Sequence, residues 1–486
     1  MKETYMKETR TIGKLIAGLS LSSFLMVGTG TTTIHAQESD ELEQLRQRID
    51  VLEQEQEGGL TLRRDDRPRS GPFVHSLAGR PQPFDQRGLE IGAIDETRLN
   101  FGFHVVGRGQ WFDQNRVRVD DGDGNWEEPA NLGPGMQTGW GNLDFQLDIG
   151  GDIEVYFDLL IATQRHPTRT WGSQGYFYIR QLPEDSFLAP ANTLFEFIDI
   201  KAGNFNPNFG NDIHRRSINA DVQRNPLIGN PVVSPQGVEP GLEIIHEGQI
   251  NGRDFGLMAG GGIGAPEQDF NNDRKFSTRG KGWFSPLDDL ELAYSIYHVD
   301  HGDEVDRGTN LFRRERYGSA YSSVWNLHDD DGGSGEGPGQ VRIGDGRRLT
   351  AMQGDLSWDI TDRFFANTHF GHANASGADP SDQAGKEKWF YYGADLTYYL
   401  TNDVYVAGRF SEANARRFLE SDNTGRVSRL QGGVGLWILD GLLIKTEYVY
   451  QEARGFNEGT RGVAGNVDVG QNPSFHGGIV ELSYSF

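Results

Sequence analysis

The feature that most constrains this chain is an alternation of apolar and polar residues with a two-residue period. In the last such segment, Val480, Leu482 and Tyr484 alternate with polar neighbours up to Phe486. This period gives a β-strand one apolar and one polar face, which suits a strand between lipid and water. Sixteen such segments are predicted, at residues 97–112, 140–150, 152–163, 174–181, 194–204, 238–249, 253–262, 275–285, 290–299, 348–360, 363–372, 388–400, 403–411, 427–439, 442–452 and 475–486.

The connections between these segments alternate in length. Short turns such as Asn251-Gly252 and Asp440-Gly441 are separated by long polar stretches such as 301–347. Asn-Gly is typical of a type I′ hairpin turn. Short turns at one end and long loops at the other are typical of a membrane barrel. The sequence therefore predicts an all-β fold, an antiparallel transmembrane β-barrel of about 16 strands over residues 97–486. A barrel of this width leaves an aqueous lumen.

The composition fits a barrel better than a soluble core or disorder. The mean hydropathy is −0.58 and 36% of residues are hydrophobic, but only alternate residues of a barrel strand face lipid. The absence of cysteine excludes disulfides, and a net charge of −24 disfavours nucleic acid as a partner. No histidine spacing or nucleophile motif predicts a metal, a cofactor or an enzyme.

The N-terminal 36 residues have the pattern of a secretory signal peptide. Lysines and an arginine precede an apolar stretch at 15–28, and cleavage is expected after Ala36. Export without an apolar helix long enough to span a membrane leaves the periplasm, the medium or the outer membrane as destinations.

Residues 37–57 are predicted to form a short coiled-coil helix. The apolar residues Leu42, Leu45, Ile49 and Leu52 recur at spacings of three, four and three, which is a seam for a partner helix. Oligomerisation is the favoured interpretation, and an isolated amphipathic helix is the alternative. Residues 58–96 are rich in Pro, Arg, Asp and Gly and are interpreted as a linker.

One long connection, near 205–237, departs from the regular pattern of hairpins. It begins with Gly-Asn-Phe-Asn-Pro-Asn-Phe-Gly at 203–210. This run resembles the strand-end motif of the phosphate-selective porin (porin O/P) family. Together, the predicted signal peptide, heptad segment, linker and barrel resemble the DcaP-like members with an N-terminal coiled coil.

The resemblance implies an outer-membrane porin of a Gram-negative bacterium. Its expected form is a homotrimer of sixteen-stranded barrels with the third long loop folded inward and the N-terminal segment in the periplasm. Passive uptake of small, anionic solutes such as phosphate or dicarboxylates is the implied function. Phe486 would serve as the signal to the barrel assembly machinery.

Basic residues near this loop and on the first strand are the candidates for a pore constriction, because fixed cations in a narrow passage attract anions. They are Lys201, His214, Arg215, Arg216, Arg224, Arg98 and Arg108. Acidic residues on the same water-facing side oppose this preference: Asp144, Asp148, Glu154, Asp158, Glu243, Glu247, Asp355 and Asp359. A sugar or general-diffusion porin and a structural or adhesive barrel remain the alternatives.

Overall fold

The computed structural model describes residues 89–94, 97–120, 125–127, 129, 132–149, 152–162, 170–214, 222–235, 237–263, 276–300, 311–312, 320–325, 339–343, 348–376, 386–418, 423–460, 463–464 and 467–485. The predicted signal peptide, the coiled coil, most of the linker and Phe486 lie outside these residues. Among the helices of the described ranges, none is both long and apolar enough to cross a membrane.

Nearly all of the regular structure is antiparallel β-sheet. The strands are β1 (Leu89–Ile94), β2 (Thr97–Asn115), β3 (Val119–Asp120), β4 (Trp126–Glu127), β5 (Gly135–Ile149), β6 (Ile153–Ala162), β7 (Thr170–Ile179), β8 (Asp199–Phe205), β9 (Glu239–Ile250), β10 (Arg253–Gly262), β11 (Phe276–Leu287), β12 (Leu290–Asp300), β13 (Arg348–Thr361), β14 (Phe364–Ser376), β15 (Lys386–Tyr399), β16 (Val404–Arg417), β17 (Gly425–Leu439), β18 (Leu442–Arg454) and β19 (Ser474–Ser485).

The large sheet closes on itself. From β5 to β19 each strand pairs with its neighbours in the chain, and β2 pairs with both β5 and β19. In the closing ladder, Ser485 is opposite His104 and Ser474 is opposite Asn115. The wall is therefore a closed antiparallel barrel of sixteen strands, which confirms the predicted fold class.

The short strand β1 is an addition to the sixteen. It pairs antiparallel with the first residues of β2, with Leu89 opposite Phe101 and Ile94 opposite Thr97. Because β19 pairs with β2 only from His104 onward, β1 continues the line of β19 along the same edge. These residues fall in the segment that the sequence assigns to the linker, although their apolar composition allows strand pairing.

Short turns at one end of the barrel set the register of most strand pairs. Asn251 and Gly252 between β9 and β10 have φ values of 55° and 73°, as a type I′ turn requires. This end is called the turn side, and the opposite end the loop side.

The β7–β8 connection is longer than the other turn-side connections. The helical turns Ala189–Ala191 and Asn192–Phe195 occupy it, so β8 begins at Asp199 and not at 194 as predicted. The Asn192 amide exchanges two 2.9 Å hydrogen bonds with the backbone of Leu182, which fixes this helical conformation.

The two faces of the wall differ sharply in polarity. On β12, Leu292, Tyr294 and Ile296 point outward and are 43%, 51% and 38% exposed, while Glu291 and Ser295 point inward and are buried. The same alternation repeats around the barrel. An apolar outer face and a polar inner face are what a barrel in lipid requires.

Apolar residues also fill the loop-side half of the interior. Parts of several loops pack there against inward-facing wall residues such as Trp389 and Phe475. The loop residues in this cluster include Phe209, Ile228, Val232, Val233, Leu311, Phe312, Tyr321, Val324, Trp325, Val341, Ile343, Val463 and Val467. The lumen is therefore narrower than the strand number alone would predict.

Candidate functional site

The connection between β8 and β9, residues 206–238, lies inside the barrel and is called the inner loop. Within its described part, residues 206–213 and 225–235 are buried. Because a sixteen-stranded wall is wide enough to hold a channel, the contacts of this loop decide how much of the lumen stays open.

Its first stretch is bound by side chains of β11 and β12. The Lys281 ammonium donates to Asn208 Oδ1 at 3.1 Å, to the Gly210 carbonyl at 3.1 Å and to Asn211 Oδ1 at 2.9 Å. The Ser295 hydroxyl accepts a 3.1 Å hydrogen bond from the Gly210 amide. Polar groups of the loop backbone are thus satisfied by the wall, as buried backbone groups require.

The second stretch is bound by β16, β17 and β18. Arg409 donates to the Gly229 carbonyl and Arg429 to the Asn230 carbonyl, each at 2.6 Å. The Glu447 carboxylate accepts from the Gly229 amide at 3.0 Å. Charge-assisted hydrogen bonds are stronger than neutral ones, so these strands hold the loop firmly.

Tyr321, a residue of a loop on the loop side, packs against this attachment. Its hydroxyl donates to Glu447 and lies against Gly229, where a Cβ atom would overlap it. Burial, followed by the nearby Glu447 charge, raises the pKa of Tyr321 well above its ordinary value. The phenol therefore stays protonated and keeps donating at physiological pH.

The predicted residue Arg108 belongs to a buried charge cluster. Its Nε lies 2.7 Å from Glu481, which also binds Lys445 at 2.7 Å. Lys445 in turn donates to the Val222 carbonyl at 2.7 Å, and the Arg108 guanidinium lies 5.7 Å from the centre of the Trp140 ring. Arg108 is thus part of an internal ion-pair network.

The other described candidates have different surroundings. Lys201 is buried on β8, with its ammonium 4.3 Å from the Tyr176 ring centre and 4.5 Å from that of Phe205. Arg98 is exposed at the turn-side start of β2, and Arg224 is half-buried in the inner loop. These residues do not form one basic ring.

The remaining candidates are at the end of a 3₁₀ turn or beyond it. His214 ends the turn Asp212–His214. Arg215 and Arg216 lie outside the described residues, so their role stays a prediction from the sequence.

Sequence reasoning missed the cations that hold the inner loop. They are Lys281, Arg409, Arg429 and Lys445, all buried and inward-facing. Each lies on the polar face of a predicted strand, so the alternation that identified Asp355 as water-facing could have found them. What it could not show is their partners, since Arg409 and Gly229 are 180 residues apart.

Five inward-facing aromatic residues on β15, β16 and β17 are covered by loops. Tyr399, Tyr405 and Trp437 pack around Leu227 of the inner loop near the turn side. Trp389 and Tyr391 belong to the loop-side apolar cluster. In this arrangement these five residues serve as packing surface for the loops.

The described side chains include no group of three or more His, Asp or Glu residues that could hold a metal ion. What the site offers chemically is a polar wall, an attached internal loop and several buried ion pairs.

No protein-family model matches the chain, and no curated protein matches it. Among solved structures, the chain is similar to the outer membrane channel DcaP of Acinetobacter baumannii, with 10% identity and a TM-score of 0.47 over 82% of this chain and 99% of that one. It is also similar to OmpT of Vibrio cholerae, with 9% identity and a TM-score of 0.48 over 82% and 99%. An anion-selective porin from Comamonas acidovorans has 10% identity and a TM-score of 0.45 over 80% and 100%. The fold assignment depends on the strand pairing described above and not on these similarities.

Proposed function

We propose that this chain forms a passive, water-filled channel in the outer membrane of a Gram-negative bacterium, through which small hydrophilic solutes diffuse. The closed sixteen-stranded wall, apolar outside and polar inside, is the observation that supports this function. A wall of that kind separates lipid from a polar lumen, and the inner loop then acts as the constriction that limits solute size.

Purified full-length protein in planar lipid bilayers tests the channel. Stepwise current increases in potassium chloride are expected as single barrels insert. A barrel that inserts, as shown by proteoliposome flotation, but carries no current would contradict the proposal. That result would instead favour the structural or adhesive alternative.

The anion preference for phosphate or dicarboxylates extends this proposal and is supported by the basic residues near the inner loop. Among the described cations of the wall, Arg279 and Arg409 form ion pairs with carboxylates, and Lys281 and Lys445 bind the inner loop. We attribute the preference to the predicted candidates other than Arg108, namely Lys201, His214, Arg215, Arg216, Arg224 and Arg98.

The reversal potential under a salt gradient decides this point. An anion-preferring channel must give a chloride-favouring potential, and replacing Arg215 and Arg216 with Ala should move it toward zero. A potassium-favouring potential in the wild-type channel would exclude the anion preference while leaving the channel itself intact.

We further propose that residues 37–57 join three barrels through a periplasmic coiled coil. Deleting 37–57 should convert the oligomer on native gels to a smaller species, because two heptads contribute only when several copies associate. An unchanged oligomer would remove this role from the segment.

We also propose that the barrel assembly machinery recognises Phe486. Deleting Phe486 should then lower the amount of assembled barrel in the outer membrane.

A further inference from the structure

The polar attachments of the inner loop are distributed over β7, β9, β11 to β14 and β16 to β19. Lys281, Arg409, Arg429 and Glu447 bind it from β11, β16, β17 and β18. The wall of β2, β5 and β6 contacts the loop instead through apolar packing on Val222.

Exposure at matched depth shows where the lumen is more open. Tyr156 is the fourth residue of β6 and Lys445 the fourth of β18, both counted from the turn side. Tyr156 is partly exposed, whereas Lys445 is 1% exposed. Asn100 on β2 and Gln146 on β5, each the fourth residue from the turn-side end of its strand, are partly exposed like Tyr156. The accessible part of the described lumen thus includes the wall of β2, β5 and β6.

Carboxylates and tyrosines line this wall. The Tyr156 hydroxyl donates to Asp144 at 3.0 Å, and its ring stacks on Tyr176 with centres 5.1 Å apart. Asn100 and Gln146 both donate to Asp148, at 3.2 and 2.9 Å. Carboxylates accept hydrogen bonds from hydroxyl groups, and aromatic faces pack on apolar faces of a ligand.

Further up the same wall lies a polar side chain without a partner. Asn142 is 0% exposed, and neither its amide nitrogen nor its oxygen has a hydrogen-bond partner. Nδ1 of His104, opposite Asn142 on β2, is also buried without a partner. Leaving a buried polar group unpaired costs about 1–3 kcal/mol, so this wall is built for hydrogen bonds that the chain itself does not supply.

The side chains packed next to Asn142 are apolar. Val222 of the inner loop packs with Val106, Trp140 and Leu160, and Leu160 is the cross-strand partner of Asn142. None of these apolar side chains can hydrogen-bond to the Asn142 amide. A hydroxyl group can satisfy both the donor and the acceptor of Asn142, because it is itself both.

We propose that the wall of β2, β5 and β6 carries a binding subsite for uncharged, polyhydroxylated solutes, that is, sugars or sugar alcohols, with Asn142 and Tyr156 as its contact residues. The solute reaches Asn142 by displacing apolar side chains of the neighbouring cluster that includes Val222. The carboxylates Asp144 and Asp148 accept hydrogen bonds on this wall and disfavour an anion at the subsite itself, whatever the charge preference of the channel as a whole. This inference rests on the proposed channel function and names a solute class for it.

Current block by raffinose, an uncharged trisaccharide, tests the subsite in single wild-type channels. Raffinose is expected to reduce the current, and citrate at the same concentration is not. Asn142→Leu keeps the branched shape and the number of non-hydrogen side-chain atoms but removes both polar atoms. It should raise the half-blocking concentration of raffinose about fivefold, as the loss of one hydrogen bond implies.

Thr397→Val is the matched control, because Thr397 is also inward-facing and buried, with a hydroxyl lacking a partner, but lies on β15. It should leave the half-blocking concentration unchanged. If Asn142→Leu fails to assemble, Tyr156→Phe, which removes only the hydroxyl, should weaken the block in its place.

The outcomes separate the two proposals. If raffinose blocks Asn142→Leu and Tyr156→Phe channels as strongly as it blocks wild-type channels, the subsite is overturned and the channel function stands. Block by citrate and not by raffinose would overturn the solute class. A barrel without conductance would contradict the channel function itself.

Discussion

At the residue scale, the stability of the barrel should be especially sensitive to a substitution of Glu481, whose carboxylate is buried. It lies between Arg108 and Lys445, both at 2.7 Å, and is itself 0% exposed. Glu481→Gln removes the charged partner that two buried cations share, and breaking a buried ion pair typically costs about 3–5 kcal/mol. We expect the unfolding midpoint in denaturant to fall accordingly, as measured by tryptophan fluorescence of the reconstituted barrel.

An exposed ion pair provides the control for this prediction. Arg348 and Asp300 lie 2.8 Å apart with side chains 66% and 39% exposed. Asp300→Asn should cost less than about 1 kcal/mol, because solvent screens such pairs. Equal effects of the two substitutions would show that the Glu481 cluster is solvated and not buried.

At the element scale, the inner loop is fixed to the wall by close packing as well as by charge. A Cβ at Gly229 would overlap the hydroxyl and ring of Tyr321. Gly229→Ala must therefore move the loop or Tyr321, at a cost of about 1–3 kcal/mol. We expect larger and noisier single-channel currents, recorded in planar bilayers, because the loop loses part of its attachment.

Gly432 on β17 is the matched glycine, since a Cβ there meets nothing within 4 Å. Gly432→Ala should leave the current steady. Unchanged currents in Gly229→Ala would mean that this attachment does not limit conductance.

At the scale of the whole molecule, the apolar belt determines where the barrel can reside. Leu430 points outward from the middle of β17 and is 57% exposed, while Leu439 ends the same strand on the turn side. An arginine at the bilayer midplane costs about 2–4 kcal/mol, and about 0–1 near the interface. Leu430→Arg should therefore reduce folding into lipid vesicles, measured by heat-dependent gel mobility, much more than Leu439→Arg. A barrel that tolerates both changes equally would not have its belt in lipid at this height.

The fold could be predicted from the sequence because its signal is local. A strand between lipid and water must alternate, and each of the sixteen alternating segments corresponds to one wall strand. The departures have local causes that alternation does not record. Asn192 clamps a helical turn before β8, and β1 pairs with an edge of β2 that β19 leaves free.

The candidate site was predicted less well, because membership of the polar face does not reveal a side chain's partner. Arg108 was expected to attract solute, yet it pairs with Glu481, 373 residues away. The alternation places Asn142 on the polar face of its strand, but an unpaired amide can be recognised only when its surroundings are known.

By itself, the sequence determined the barrel, its strand number and which side chains face inward, since these follow from the two-residue period and the lengths of the turns. Only the tertiary structure decided which inward charges are engaged and which part of the wall is open. Those properties depend on a loop that returns across the lumen and binds strands far away in the chain. Contacts of that kind are set by three-dimensional packing and leave no periodic trace in the residues.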